Sequence, residues 1–123
     1  MVTPLSRRNF NSSNVITQDL SDQRLATLSV AATLNISYID LNLASTNYLN
    51  SIGKANSATY NRIPSDYTHL NPTGSIVFGD MVSWLMTNGE GTKQYAKDIE
   101  AYTCPNQTVV GDIKEGVYVF PSS

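Results

Sequence analysis

Residues 19–42, DLSDQRLATLSVAATLNISYIDLN, decide the fold, because a helical spacing of apolar residues gives way there to a β-branched, aromatic run. Leu20, Leu25, Leu28, Ala31, Ala32 and Leu34 recur at intervals of three and four, with Ser21 or Asp19 as N-cap, which predicts a helix from about Ser21 to Leu34. Asn35 ends it. Ile36-Ser37-Tyr38-Ile39-Asp40-Leu41 then reads as a strand of five or six residues. A helix feeding directly into a strand is an α/β pattern, and it puts Asp40 and Asn42 at the strand end, where such sheets deliver polar side chains to a cleft.

Working outward, Met1 to Leu5 is apolar and interrupted by Pro4, the tail of another strand. A second helix is expected from Ala44 to about Lys54, carrying Tyr48, Leu49 and Ile52. Ala55 to Gly74 lacks periodicity and forms a long loop, a class of segment that is usually functional. Helical spacing resumes after Thr73-Gly74 through Val77, Met81, Trp84 and Leu85, with Gly89 as its C′ stop. Trp84 lies on the apolar side and reads as core packing. Another amphipathic stretch covers Thr92 to Tyr102, and Cys104-Pro105 marks its end. The tail from Pro105 to Ser123 offers Val109-Val110 and Val117-Tyr118-Val119-Phe120 as edge strands or an extended wrap.

Composition bounds the function classes. With 41% hydrophobic and 9% aromatic residues, the 123-residue chain has matter for one packed core. The formal net charge is -2 and the eight basic residues are scattered, Arg7-Arg8 being the one adjacent pair, so no nucleic-acid footprint is present. No run approaches the roughly 20 apolar residues of a membrane helix. The single cysteine, Cys104, has no internal disulfide partner, and the N-terminus lacks the apolar region of a signal peptide. One histidine and scattered carboxylates do not make a metal site, and nothing calls for a cofactor. Asn11-Ser12-Ser13, Asn35-Ile36-Ser37 and Asn106-Gln107-Thr108 are glycosylation sequons.

The only histidine, His69, follows Asp66 by three residues in the stretch SDYTHLNPTG, residues 65–74, just before the strongest helix. A carboxylate at that offset on a turn can accept the Nδ1 proton and leave Nε2 facing a substrate as general base, the other reading being an ordinary loop or helix-capping histidine. Read as D-x-x-H followed by an amphipathic helix, this block resembles the last conserved block of the SGNH (GDSL-type) ester hydrolases. The Leu70-Asn71-Pro72-Thr73-Gly74 continuation is most similar to fungal rhamnogalacturonan acetylesterases. The resemblance spans about Val2 to Met86.

That resemblance implies a flavodoxin-like three-layer α/β/α fold, present as a C-terminal half with about two parallel strands and three or four helices, over residues 1–104, with 105–123 as an extension. It implies Asp66 and His69 as acid and base of a Ser-His-Asp triad acting on acetylated pectic polysaccharide in an extracellular parent enzyme. Tyr60 and Tyr67, beside the triad loop, are candidate substrate contacts. The family's Gly-Asp-Ser nucleophile block and its oxyanion-hole glycine and asparagine blocks are absent. Gly-Asp occurs only before Met81 and before Ile113. The chain alone is therefore expected to be inactive, and to need a missing N-terminal half or self-association to cover an exposed sheet edge. The alternative is a non-catalytic product, a carbohydrate- or protein-interaction module that kept the fold without activity.

Overall fold

The computed structural model describes residues 1–89, 91 and 96–121, and it is helical: 55% helix and 5% strand, with no sheet. The elements are α1 (Ser21–Leu34), α2 (Leu41–Ala58), α3 (Pro72–Asn88), α4 (Ala96–Glu100) and α5 (Gln107–Glu115). The expected three-layer α/β/α half with parallel strands is thus overturned. Its remnant is a single parallel bridge, Val2 to Ile39, with Thr3 N–H donating to the Ile39 carbonyl at 3.1 Å and Ile39 N–H to that of Met1 at 2.9 Å.

Both would-be strands are cut short for local reasons. Ile36 N–H still bonds back to Ala31 in α1, so the extended run begins late. At its other end Asp40 caps α2, its carboxylate accepting from Leu43 N–H at 3.3 Å, so a helix begins at Leu41. On the partner segment Pro4 removes a donor two residues beyond Val2.

Asp40 is consequently not a cleft residue. Arg24 of α1 grips it with Nε at 3.0 Å from both oxygens and Nη2 at 2.6 Å, and Thr3 Oγ1 donates to it at 2.9 Å. The same hydroxyl accepts from the backbone N–H of Asn42, a residue that is itself buried, at 2.9 Å. Burial pushes the Asp40 carboxyl up, but the Arg24 and Thr3 hydrogen bonds outweigh it and hold the group below the usual carboxylate range.

The bounds of α1 match the sequence reading, but its cap and its face do not. Leu20 takes the N-cap position without a side-chain bond, and Asp19 instead pairs with Arg7 at 3.4 Å. Of the apolar set, Leu25 and Leu34 face solvent, and Ala31 is the helix's buried residue. α2 runs longer than expected and breaks at Gly53, whose φ of 79° favours glycine. Gly89 ends α3 in an extended conformation rather than a left-handed turn.

α3 is the centre of the packing and touches α2, α4 and α5. Val77, Phe78, Met81 and Leu85 on its inner side meet Tyr48, Leu49 and Ile52 of α2 in one apolar cluster. Trp84 packs at the edge of that cluster, with Lys114 Nζ 5.9 Å from its ring centroid. The expected helix over Thr92 to Tyr102 is seen as α4, residues 92–95 lying outside the described set.

The tail departs from the edge-strand reading. Val109 and Val110 lie in α5, started by Asn106, whose Oδ1 accepts from Thr108 and Val109 N–H. Val109 and Ile113 bury their side chains in the common core. Residues 117–121 form a strap without helix or strand. The Tyr60 hydroxyl donates to the Val119 carbonyl and shares a 3.0 Å hydrogen bond with Tyr48, which accepts from Val119 N–H at 3.3 Å.

Two stability predictions follow from these networks. Asp40→Ala removes a helix cap and a two-pronged ion pair, and should lower stability by about 2 kcal/mol in urea denaturation. Because the native carboxyl titrates below its unfolded counterpart, that contribution is present above about pH 4 and is lost as pH falls through the lower native value, so the Asp40→Ala deficit should shrink in acid. Tyr60→Phe leaves the Val119 carbonyl short of a donor and should cost about 1–3 kcal/mol in the same assay. Burial raises both the Tyr60 and Tyr48 phenols, so the native state holds these protons more tightly than the unfolded chain. Their contribution is complete below about pH 10 and is lost above it, and Tyr60→Phe should flatten that alkaline loss when thermal midpoints are compared.

Candidate functional site

The loop from Thr59 to Asn71 joins α2 to α3, and its last turn is organised by one carboxylate. Asp66 Oδ1 accepts from Thr68 N–H at 3.1 Å and His69 N–H at 2.9 Å, closing a turn in which the side chain substitutes for a backbone acceptor. The chain thereby brings the His69 ring back over the same carboxylate, Nδ1 lying 3.1 and 3.0 Å from its two oxygens. Arg62 Nε adds a contact at 3.2 Å from Oδ2.

The hydrogen bonds from His69 and Thr68 N–H, with the imidazole contact, hold the Asp66 carboxyl down at about 2. An ionised carboxylate only accepts, so near neutral pH the Nδ1 atom carries the proton and the lone pair of a neutral ring sits on Nε2. The Asp66 side chain is 12% exposed and that of His69 66%, so the anchor is sheltered while the ring stands at the surface.

The residues that follow fix this turn to the rest of the molecule. Asn71 caps α3 by accepting from Gly74 N–H at 2.8 Å, and its amide donates to the Thr59 carbonyl at 2.7 Å. Pro72 takes the first helical turn, where its missing N–H is harmless. Gly74 sits against the loop itself. A Cβ there would lie 2.9 Å from the Tyr60 carbonyl oxygen.

Around the pair is an open cleft of about 460 Å³ whose walls include Arg7, Asn9, Asp19, Arg62, Ser65 and Tyr67. Tyr67 is exposed and stands in it beside Asp66 and His69. Tyr60 does not: it is fully buried, its ring edge-on to Phe78 at 5.7 Å between centroids, so it supports the core and is closed to a substrate. Ser65 and Thr68 share the cleft, yet no hydroxyl among the described residues hydrogen-bonds to His69.

A larger cleft of about 570 Å³ lies beside Trp84, Asn88 and Gln107, but it holds no imidazole or thiol, and the acid–base geometry belongs to the smaller one. Cys104 is free and exposed. Among the described residues no three His, Cys, Asp or Glu side chains converge on a point that would hold a metal, and no helix is long and apolar enough to cross a membrane.

Arg8 and Asn61 belong to this region and were not singled out from the sequence. Arg8 is 2% exposed beneath the loop and donates to Asn61 Oδ1 at 2.6 Å. The one signal for it was the Arg7-Arg8 pair in a segment otherwise poor in charge. No family model matches the chain, and neither a curated protein nor a solved structure does.

The turn makes a direct prediction. The Asp66 carboxyl carbon, followed by NMR through an acid titration, should show a midpoint near pH 2. A midpoint in the ordinary range near 4 would mean that the bonds from Thr68 and His69 N–H are not formed in solution.

Proposed function

We propose that Asp66 and His69 are the acid–base pair of a serine ester hydrolase of the SGNH type, acting on acetyl esters of pectic polysaccharide, with the nucleophilic serine supplied from outside these 123 residues. The observation that carries this reading is the ring held at Nδ1 by an ionised carboxylate, with Nε2 at the rim of an open cleft. It rests on the loop and its D-x-x-H spacing and not on a shared sheet.

In this chemistry His69 Nε2 takes the serine hydroxyl proton as Oγ attacks the ester carbonyl. The tetrahedral intermediate collapses, the C–O bond to the sugar breaks, and the imidazolium returns its proton to the departing sugar oxygen. Water then attacks the acetyl-serine, again losing its proton to Nε2, and acetate leaves with the serine regenerated. Asp66 stays ionised throughout and compensates the imidazolium charge. Tyr67, exposed in the same cleft, is the proposed sugar contact.

A second reading is a module that binds pectic fragments or a partner without turnover. The two part in one experiment, hydrolysis of 4-nitrophenyl acetate and acetylated pectin by the 123-residue chain and by the product of its gene extended to any upstream Gly-Asp-Ser block. We expect no turnover from the chain alone, and in the longer product a loss on the order of 10⁴-fold or more in kcat/KM for His69→Ala. Activity of His69→Ala within tenfold of the unsubstituted protein overturns the assignment. Binding of pectic fragments without hydrolysis by either form supports the second reading.

A further inference from the structure

Arg8 is a costly residue to place where it is. Its side chain is buried, and among the described residues no carboxylate lies within ion-pair distance of it. An interior charge without an opposite charge is unfavourable unless hydrogen bonds compensate it. Burial lowers its pKa and the charge of Asp66 works against that shift. Nη1 of Arg8 and Nδ2 of its neighbour Asn61 find no acceptor among the described residues.

What Arg8 does reach is the turn that carries the acid–base pair. Its own N–H donates to the Tyr67 carbonyl at 2.9 Å, and its Nη2 to the His69 carbonyl at 2.8 Å, an oxygen that also accepts from Arg62 N–H at 3.0 Å. From the other side, Asp66 holds the N–H groups of Thr68 and His69. The peptide groups of residues 67 to 69 are therefore gripped on both sides, carbonyls by Arg8 and amides by Asp66. Nε reaches Asn61, which leads out of α2 into the loop, so one planar guanidinium joins the two ends of the loop.

We propose that Arg8 is the positioning residue of the Asp66–His69 pair, setting the backbone of Tyr67–His69 so that Nδ1 meets the carboxylate and Nε2 is left at the rim of the cleft. Arg8 touches neither the ring nor the cleft; its guanidinium acts through the His69 carbonyl and Asn61, while its backbone N–H holds the Tyr67 carbonyl. A lysine ammonium keeps the charge but is a single point and cannot span Asn61 and His69 with a fixed fork. The proposal rests on the acid–base reading of the pair for its purpose, while the geometry it concerns is independent of turnover.

The test reads the pair directly in the 123-residue chain. Nitrogen-15 NMR of the imidazole reports which ring nitrogen carries the proton, and carbon-13 NMR reports the Asp66 midpoint, in wild type, Arg8→Met and Arg8→Lys, each checked for folding by circular dichroism. The wild type should be predominantly the Nδ1–H tautomer. Arg8→Met should give a mixture of tautomers and raise the Asp66 midpoint by about one pH unit or more as the His69 N–H bond slackens, with Arg8→Lys falling between. A folded Arg8→Met with the wild-type tautomer and midpoint overturns the proposal. If Arg8→Met does not fold, Arg8→Lys and Asn61→Ala are read in the same way, and an unchanged pair in both overturns it. Neither measurement needs an active enzyme. An undisturbed pair in the Arg8 variants would remove Arg8's role and leave the esterase reading standing, whereas failure of the His69→Ala assay would do the reverse.

Discussion

The carboxylate of Asp40 is where the fold is tied. It accepts from the guanidinium of α1, from the Thr3 hydroxyl of the N-terminal segment, and from the first turn of α2, so three stretches with no sheet between them meet at one side chain. This geometry explains how α1 stays in place although it buries little of its own surface. For most helices in globular proteins an apolar face supplies the anchoring. Here a partly buried ion pair with two further hydrogen bonds does so, and it fixes where the chain must turn into α2.

The Asp66–His69 turn depends on this arrangement at one remove. The N-terminal segment that Thr3 fastens to Asp40 continues through Ser6, whose N–H donates to Ser45 Oγ in α2 at 3.0 Å, to Arg8 beneath the loop. The loop itself is pinned from behind by the buried Tyr60 and from below by α3, whose start lies so close that position 74 accommodates no side chain. The exposed imidazole thus stands on a rigid floor.

How much of this was legible in the sequence differs from place to place for physical reasons. The α1 span and the body of α3 followed from apolar spacing, and the Asp66–His69 contact followed from a carboxylate three residues from an imidazole on a turn, because these are local relations. The strand at Ile36 to Leu41 failed because its composition suits a strand while Asp40, a strong helix cap, sits within it. Capping won, and α2 began three residues earlier than its apolar pattern suggested. In the tail, paired valines concealed α5, and the capping asparagine at 106 was the better signal. Tyr60 is near His69 in sequence, which suggests a place at the cleft, but its ring points inward to Phe78 and the C-terminal strap. For Arg8 the adjacent Arg7-Arg8 pair marks a charge but not its partners, which lie more than fifty residues away.

Asn106 illustrates a further consequence of capping. Its Oδ1 is engaged by two backbone N–H groups at the start of α5, while Nδ2, the atom to which a sugar would attach, makes no hydrogen bond to the described residues. The amide is thus shared between two roles that use different atoms, and a glycan at this sequon would leave the cap intact. Replacing Asn106 to remove a glycan would confound the two, because the helix start is lost with the sugar. Thr108→Ala separates them: it abolishes the sequon and keeps both the asparagine and the backbone N–H that it accepts from.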